Sequence, residues 1–433
     1  MASDVPRPGP AHARAHPAPH RAAAVTAAAL LLVLTACGLL APHAPEPAPT
    51  LTTAADVARA KVAPPPPAPP ASFTLVAAGD LLPHGPVVTS ADGGSDFASL
   101  LDGLDDWVAG ADLALCHMEV PVAPEGTAPS GYPLFGAPEG LVPALAEQGW
   151  DGCSTASNHS VDRGYPGVVT TLDAFDAAGM GHAGTARSAA EQSRPQLYRL
   201  ARAGQEITVA HLSATYGLNG LPVPADAPWA VDLIDADALV AEAKQARRDG
   251  ADVVLVSLHA GVEYTETLTD QQVDVVAELA ASHVVDLVIG HHAHVPQRID
   301  RLDGGPGGTG MWVAYGLGNL LSNQSAACCD ARTSNGVLLS ATFAQERASD
   351  PLRVTRVRWT GTTVDIPAGH RAFVIRDLLD DRDGSTLSAA DLAAREQRVA
   401  DAVGEQAAER TEPPEPSGPP PTVVPRGAGQ GKG

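Results

Sequence analysis

Five stretches of this 433-residue chain set polar side chains of the metal-binding kind immediately after an apolar run. They are Gly79-Asp80 with His84 four residues on, His117-Met118-Glu119, Ser157-Asn158-His159 with Asp162 following, His259 to Glu263, and Gly290-His291-His292-Ala293-His294. Carboxylate oxygen and imidazole nitrogen suit hard and borderline divalent cations, and a pair of cations needs several such groups converging on one point. Asp80, His84, Glu119, Asn158, His259, His292 and His294 supply that set. Any one of them alone reads as well as a helix cap, a turn former or a hydrogen-bonded structural histidine. Together they are hard to explain by packing, because buried polar groups cost free energy unless paired. Cations held there would activate water for attack on a phosphoryl or a carbonyl centre.

The elements that must position these groups follow from the apolar pattern. Runs at 73–78, 111–115, 152–156, 207–212, 253–258 and 287–289 read as buried strands, and helical periodicity marks 141–148, 165–178, 235–248 and 269–283. Alternation of this kind implies a layered α/β domain whose ligand site lies at the carboxyl ends of the strands. From residue 311 onward strands dominate, at 312–315, 336–343 and 353–360, with no long helix between them. A second, more antiparallel sheet is expected there.

The order and wording of these segments resemble the CapA family of capsule and poly-gamma-glutamate biosynthesis proteins, within the calcineurin-like metallophosphoesterase superfamily. The resemblance covers about residues 73–323. It includes Tyr132-Pro133-Leu134-Phe135-Gly136-Ala137-Pro138, Ser157 to Gly164, Thr171-Leu172-Asp173, Gly181-His182-Ala183-Gly184 and Tyr315-Gly316-Leu317-Gly318-Asn319. It implies a four-layer α/β/β/α sandwich and two divalent metal ions, manganese, iron or zinc. Position by position, Asp80, His84 and His294 resemble ligands of one metal, and Asn158, His259 and His292 those of the other. Glu119 stands where the superfamily has a bridging aspartate, and His159 resembles the histidine that protonates the leaving group. Three positions depart from the pattern. His84 lies four residues beyond Asp80, where the superfamily has Asp-x-His. His117 replaces an asparagine and reads as a neutral replacement, an extra ligand or a substrate contact. His291 has no counterpart and is expected to orient a ligand from behind. Asp162, Glu263 and Tyr264 could hold ligand histidines or cap turns, and Asn319 could line the cleft or close a turn.

Acidic residues outnumber basic ones 50 to 28, which excludes the basic footprint of a nucleic-acid partner. Arg163, Arg187 and Arg332 are scattered and form no groove for a polyanion. At the N-terminus, Arg14 and Arg21 precede a short apolar stretch ending in Leu34-Thr35-Ala36-Cys37. This is the order of a secretory signal, and its end resembles a bacterial lipobox, so residues 1–37 are expected to be a signal peptide with Cys37 lipidated. The expected location is the outer face of the cytoplasmic membrane, with the anchor as the membrane contact.

Residues 38–71 read as a Pro/Ala-rich linker, 72–376 as the domain, 377–410 as a polar helical extension with its helix at 388–408, and 411–433 as a disordered Pro/Gly-rich tail. Cys116 and Cys153 sit in apolar runs and read as small buried hydrophobes. No disulfide connectivity can be read for Cys116, Cys153, Cys328 and Cys329. The expected function is divalent-metal-dependent hydrolysis of a phosphoester or related bond in the synthesis, attachment or remodelling of an envelope polymer, with that polymer or its precursor as partner. Its rivals are a non-hydrolytic accessory subunit of a membrane synthase and an amide-cleaving or amide-exchanging metalloenzyme.

Overall fold

A computed structural model describes residues 69–427. The expected signal peptide, Cys37 and nearly all of the linker lie outside them. Two mixed sheets pack face to face. The first contains β1 (Ser72–Leu82), β2 (Leu113–Met118), β3 (Gly152–Ser154), β4 (Gly181–Ala183), β11 (Asn319–Ser322), β12 (Asn335–Ala344), β13 (Arg353–Asp365), β14 (Arg371–Val374) and β15 (Ala408–Glu409). The second contains β5 (Gln196–Arg202), β6 (Gln205–Thr215), β7 (Val253–His259), β8 (Leu287–His291), β9 (Ile299–Leu302), β10 (Met311–Ala314) and β16 (Thr422–Val424).

Alternation along each strand divides the core. Leu75, Ala77, Leu113 and Leu115 face Leu255, Leu287 and Ile289 between the sheets. Their neighbours Val76, Ala78 and Ala114 point outward onto helices α1 (Leu141–Gln148) and α2 (Gly164–Ala178) through Leu141, Leu145 and Phe175. On the far side, Val254, Val256 and Val288 meet Leu239, Ala243, Val276 and Leu279 of α3 (Ala236–Arg248) and α4 (Asp270–Ala281). The result is the expected α/β/β/α layering. Local chemistry fixes the helix ends: Asp235 caps α3, Thr269 and Gln272 form a capping box on α4, and Gly149 and Gly179 end α1 and α2 in left-handed conformation.

Three expectations are corrected. Of the late strands expected in a second sheet, 312–315 (β10) lies there, but 336–343 and 353–360 do not. β12 pairs with residues 72–77 of β1 and carries β13 and β14 beyond it, because the edge of β1 not taken by β2 is open to it. The residues read as a polar extension belong to the domain, since Leu392, Val399 and Val403 of α5 (Ala389–Val403) are buried in the core shared by both sheets. The tail is not disordered over 411–427. It supplies β16, and Arg426 is buried and donates to the carbonyls of His182, Thr185, Glu191 and Arg194. Cys116 and Cys153 are buried as expected, but as a disulfide between paired positions of β2 and β3, and Cys328 is bonded to Cys329.

Candidate metal centre

At the carboxyl ends of β1, β2, β3, β7 and β8 the polar segments meet. Asp80 lies within β1, where the pairing with β2 and β11 shifts register and the strand continues to Leu82. The close approach requires Gly79, since a Cβ there would stand 2.0 Å from the Gly318 carbonyl. Gly290 has the same role, a Cβ there falling 1.9 Å from Tyr315 O. Beyond it, His292 and His294 adopt φ of 89° and 56°, uncommon for residues with a side chain and typical of sites where the surroundings over-determine the backbone.

Three groups of donors converge, each with its ligand atoms within 4.8 Å of one another: Asp80, His117 and His291; Glu119, His259 and His292; and Asp80, Glu119 and His294. Donors at about 2.0–2.3 Å from a shared cation stand at such separations. Asp80 Oδ2 accepts from His292 N at 3.1 Å and lies 3.0 Å from His294 Nδ1. Glu119 Oε1 lies 3.6 Å from His294 Nε2 and 3.9 Å from His259 Nε2. Asn158 Oδ1 is 2.8 Å from His259 Nε2. Behind it, His259 Nδ1 meets His117 Nε2 at 2.9 Å, and His117 Nδ1 meets Ser154 Oγ at 2.7 Å.

The orphaned atoms test whether these residues fit a cation. Asp80 Oδ1, both Glu119 oxygens, both His291 ring nitrogens and His292 Nδ1 are buried without a hydrogen-bond partner. His291 Nδ1 and Asp80 Oδ1 approach to 3.3 Å without hydrogen-bonding geometry. Unsatisfied buried polar atoms each cost about 1–3 kcal/mol, and six of them within one cluster are what cation binding would relieve. The electrostatics agree. Burial pushes the Glu119 carboxyl well above its usual range, and burial holds the His117 and His259 imidazoles well below theirs, with neighbouring histidines adding to the effect. Burial lowers His292 to about 3. Neutral imidazole is the ligating form. In the cation-free protein, burial opposes charge on Asp80 and His294, but they charge each other: Asp80 is held well below its usual value by His291 and His294, and His294 is pushed up to about 9 by Glu119 and Asp80.

The structure thus brings together Asp80, Glu119, Asn158, His259, His292 and His294. His117, read as a neutral replacement, an extra ligand or a substrate contact, and His291, expected to orient a ligand from behind, are both donors in one of the groups. His84 is not in any of them among the described residues. Its Nδ1 is 2.9 Å from Leu82 O, and burial lowers its pKa to about 4. His159 Nδ1 is 2.7 Å from Asp162 Oδ2, which also accepts from Phe135 N, and the Phe135 ring packs edge-on at 4.8 Å from the His159 ring. Asn319 Oδ1 reaches His294 Nδ1 at 3.1 Å. Glu263 is exposed, and Tyr264 Oη accepts from Gln324 at 3.2 Å. Sequence reasoning missed Tyr216 and Asn219. Asn219 Oδ1 accepts from Asn158 Nδ2 at 3.1 Å and its Nδ2 lies 3.5 Å from His159 Nε2. Both lie just past β6, where the strand-end rule applied to the other loaded segments would have found them.

The chain is similar to the capsule biosynthesis protein CapA of Bacillus anthracis, 26% identical over 191 residues, 43% of this chain and 44% of that protein. The PGA biosynthesis protein CapA of Bacillus subtilis is 25% identical over 42% of this chain and 45% of its own length. The "Probable polyglutamine synthesis accessory protein" of Mycobacterium tuberculosis is 25% identical over 57% and 67%. The matched stretch spans less than half the length of the two Bacillus relatives. Among solved structures, a 5'-nucleotidase precursor of Thermus thermophilus aligns with TM-score 0.40 and 14% identity over 70% of this chain and 54% of that one. A putative 5'-nucleotidase of Staphylococcus aureus aligns with TM-score 0.42 and 15% identity over 75% and 58%. The model of the bacterial capsule synthesis protein PGA_cap family matches residues 74–324, more than half the chain and every residue of the three donor groups, and the chain belongs to that family.

Proposed function

We propose that this protein is an exported, divalent-metal-dependent hydrolase that cleaves a phosphoester in the making or remodelling of an envelope polymer. The observation that carries this is the set of six buried, unpartnered atoms on Asp80, Glu119, His291 and His292 within three convergent donor groups. Bound divalent cations would supply Lewis acidity toward phosphoryl oxygen and an activated water. Asp80, Glu119, Asn158, His259, His292 and His294 would hold them, with His117 and His291 close behind and His84 at the margin.

The chain's own residues then divide the remaining work. Asp162, an acceptor when ionised, fixes the proton of His159 on Nδ1 and turns Nε2 toward Asn219 and the site. His159 in its doubly protonated form can hand the Nε2 proton to a departing oxygen, the role of a general acid. Ser154 and His117 hold the His259 ring in line, as partners of ligand histidines do. The polymer role and a synthase partner are supported by the similarity to proteins of capsule, PGA and polyglutamine synthesis. Lipid anchoring at Cys37 is supported by the sequence of residues 1–37.

Purified protein is analysed for bound metal and assayed with manganese or zinc on aryl phosphates, phosphodiesters and γ-glutamyl polymer. Bound metal and phosphoester turnover, both lost in His292→Ala and in Asn158→Ala, are expected. Wild type without metal, or variants with unchanged turnover, would sink the proposal. Cleavage of the polymer amide alone transfers the site to amide chemistry, and bound metal with no turnover favours an accessory role. Cys37→Ala is expected to release the protein from membranes; retention there contradicts the lipid anchor.

A further inference from the structure

The rim of the metal centre has a composition of its own. Six of the eight large hydrophobic side chains exposed among the described residues, Tyr132, Leu134, Tyr216, Leu221, Leu233 and Val262, lie on three loops, those following β2, β6 and β7. Monomeric surfaces rarely gather such side chains without a ligand or partner to cover them. Two tyrosines border the histidine cluster directly. The Tyr216 ring centroid is 4.6 Å from that of His292, and the Tyr264 ring is 6.1 Å from that of His294. Tyr132, 80% exposed, belongs to the loop whose Phe135 packs on His159.

Charge at this rim is one-sided. Glu263 is exposed and acts on Tyr216, Tyr264 and Glu119. The guanidinium groups that touch the bordering loops are already engaged. Arg163 binds the carbonyls of Ala128 and Phe135 and the Ser130 hydroxyl, and Arg332 binds Asp330, Glu266 and Tyr264 O. A second anionic group on a substrate would therefore meet the Glu263 carboxylate, beside guanidinium groups already bonded to the protein, whereas a flat ring finds aromatic faces and a carboxylate ready to accept from its hydroxyls.

We propose that the substrate carries a single anionic group, the one presented to the metal centre, and that the part beyond it is an uncharged ring, a glycosyl or aryl group, laid on Tyr216 and Tyr264 and covered by Tyr132. This rests on the metal-dependent hydrolase function above. It places the reaction on a small ring-bearing phosphoester and not on a finished polyanionic chain.

Calorimetric titration of the manganese-loaded protein tests it without turnover, using inorganic phosphate, phenylphosphonate and phosphonosuccinate. Phenylphosphonate is expected to bind at least about 10-fold tighter than phosphonosuccinate. Tyr216→Ala and Tyr132→Ala each weaken phenylphosphonate and leave phosphate within about 2-fold, and Glu263→Lys tightens phosphonosuccinate. Phosphonosuccinate binding as well as phenylphosphonate to wild type, or rim variants that weaken phosphate equally, would overturn the proposal. Substituting glucose 1-phosphate for phenylphosphonate separates a glycosyl from an aryl preference. Phenyl phosphate turnover is measured alongside: the expected ranking without turnover removes the hydrolase function and leaves the rim selectivity standing.

Discussion

Asp162 shows how one acceptor can fix the proton of a neighbouring imidazole. Its Oδ2 takes both the Phe135 amide and the His159 Nδ1 proton, so one carboxylate locks the loop over the site and the tautomer beneath it. Asparagine there could present its amide nitrogen to either group and would no longer fix the proton on Nδ1. Asp162→Asn is expected to lower kcat by about 10²–10⁴-fold, the range of general acid–base contributions, with bound metal unchanged. A parallel loss of metal would assign Asp162 to ligand support instead. At this scale the sequence was informative where side-chain type decides the matter: carboxylate, amide and imidazole after an apolar run needed no geometry to be singled out. It left His84, His117 and His291 undecided, because their placement depends on backbone direction. β1 runs two residues past Asp80 and carries His84 to the Leu82 carbonyl, while the inward positions beside His259 fall to His117 and His291, with ring centroids 4.9 and 4.0 Å apart for the pairs His117–His259 and His117–His291.

Among the elements, the helices with capping residues were read to within a few residues, because local chemistry marks their ends. The C-terminal strap was not. Its Pro/Gly composition reads as disorder, but whether such a segment docks is decided by partners hundreds of residues away. Ser417 N and Oγ donate to Asp112, Arg202 donates to Pro419 O and pairs with Asp112 at 2.8 Å, and Thr422–Val424 extends the second sheet beside β5. Truncation after Arg410 removes these bonds and leaves the Arg202–Asp112 pair open to water on one side. Losing several hydrogen bonds, some to charged groups, predicts a loss on the order of 3–5 kcal/mol in urea unfolding. Metal content should be retained, since no strap residue is in the donor groups. An unchanged midpoint would mean that the strap rests on the domain without stabilising it.

Over the whole molecule, two buried groups outside the metal centre tilt stability in opposite directions with pH. Burial raises the Asp151 carboxyl from 3.8 to about 7, against the Ala114 amide it accepts from. A raised carboxyl contributes stability that is fully present below 3.8 and is lost as pH rises through 7. Burial lowers His211 from 6.5 to about 3, its Nε2 facing Ser257 Oγ at 2.8 Å. A depressed imidazole contributes stability that is present above 6.5 and is lost as pH falls below it toward 3. Between 3.8 and 6.5 the two slopes oppose each other; above 6.5, of these two groups, only the carboxyl acts, and its contribution is lost as pH passes through about 7. Asp151→Asn keeps an acceptor for the Ala114 amide and removes the titration. It should therefore match wild type near pH 4 and exceed it by about 1–3 kcal/mol at pH 8. His211→Asn should lose stability overall yet show a smaller acid-side decline than wild type between pH 7 and 4. Urea unfolding at pH 4, 5, 6.5 and 8, in chelator to keep the metal centre out of the comparison, measures both. Parallel profiles for wild type and Asp151→Asn would show that Asp151 ionises in the folded protein as it does in the unfolded chain.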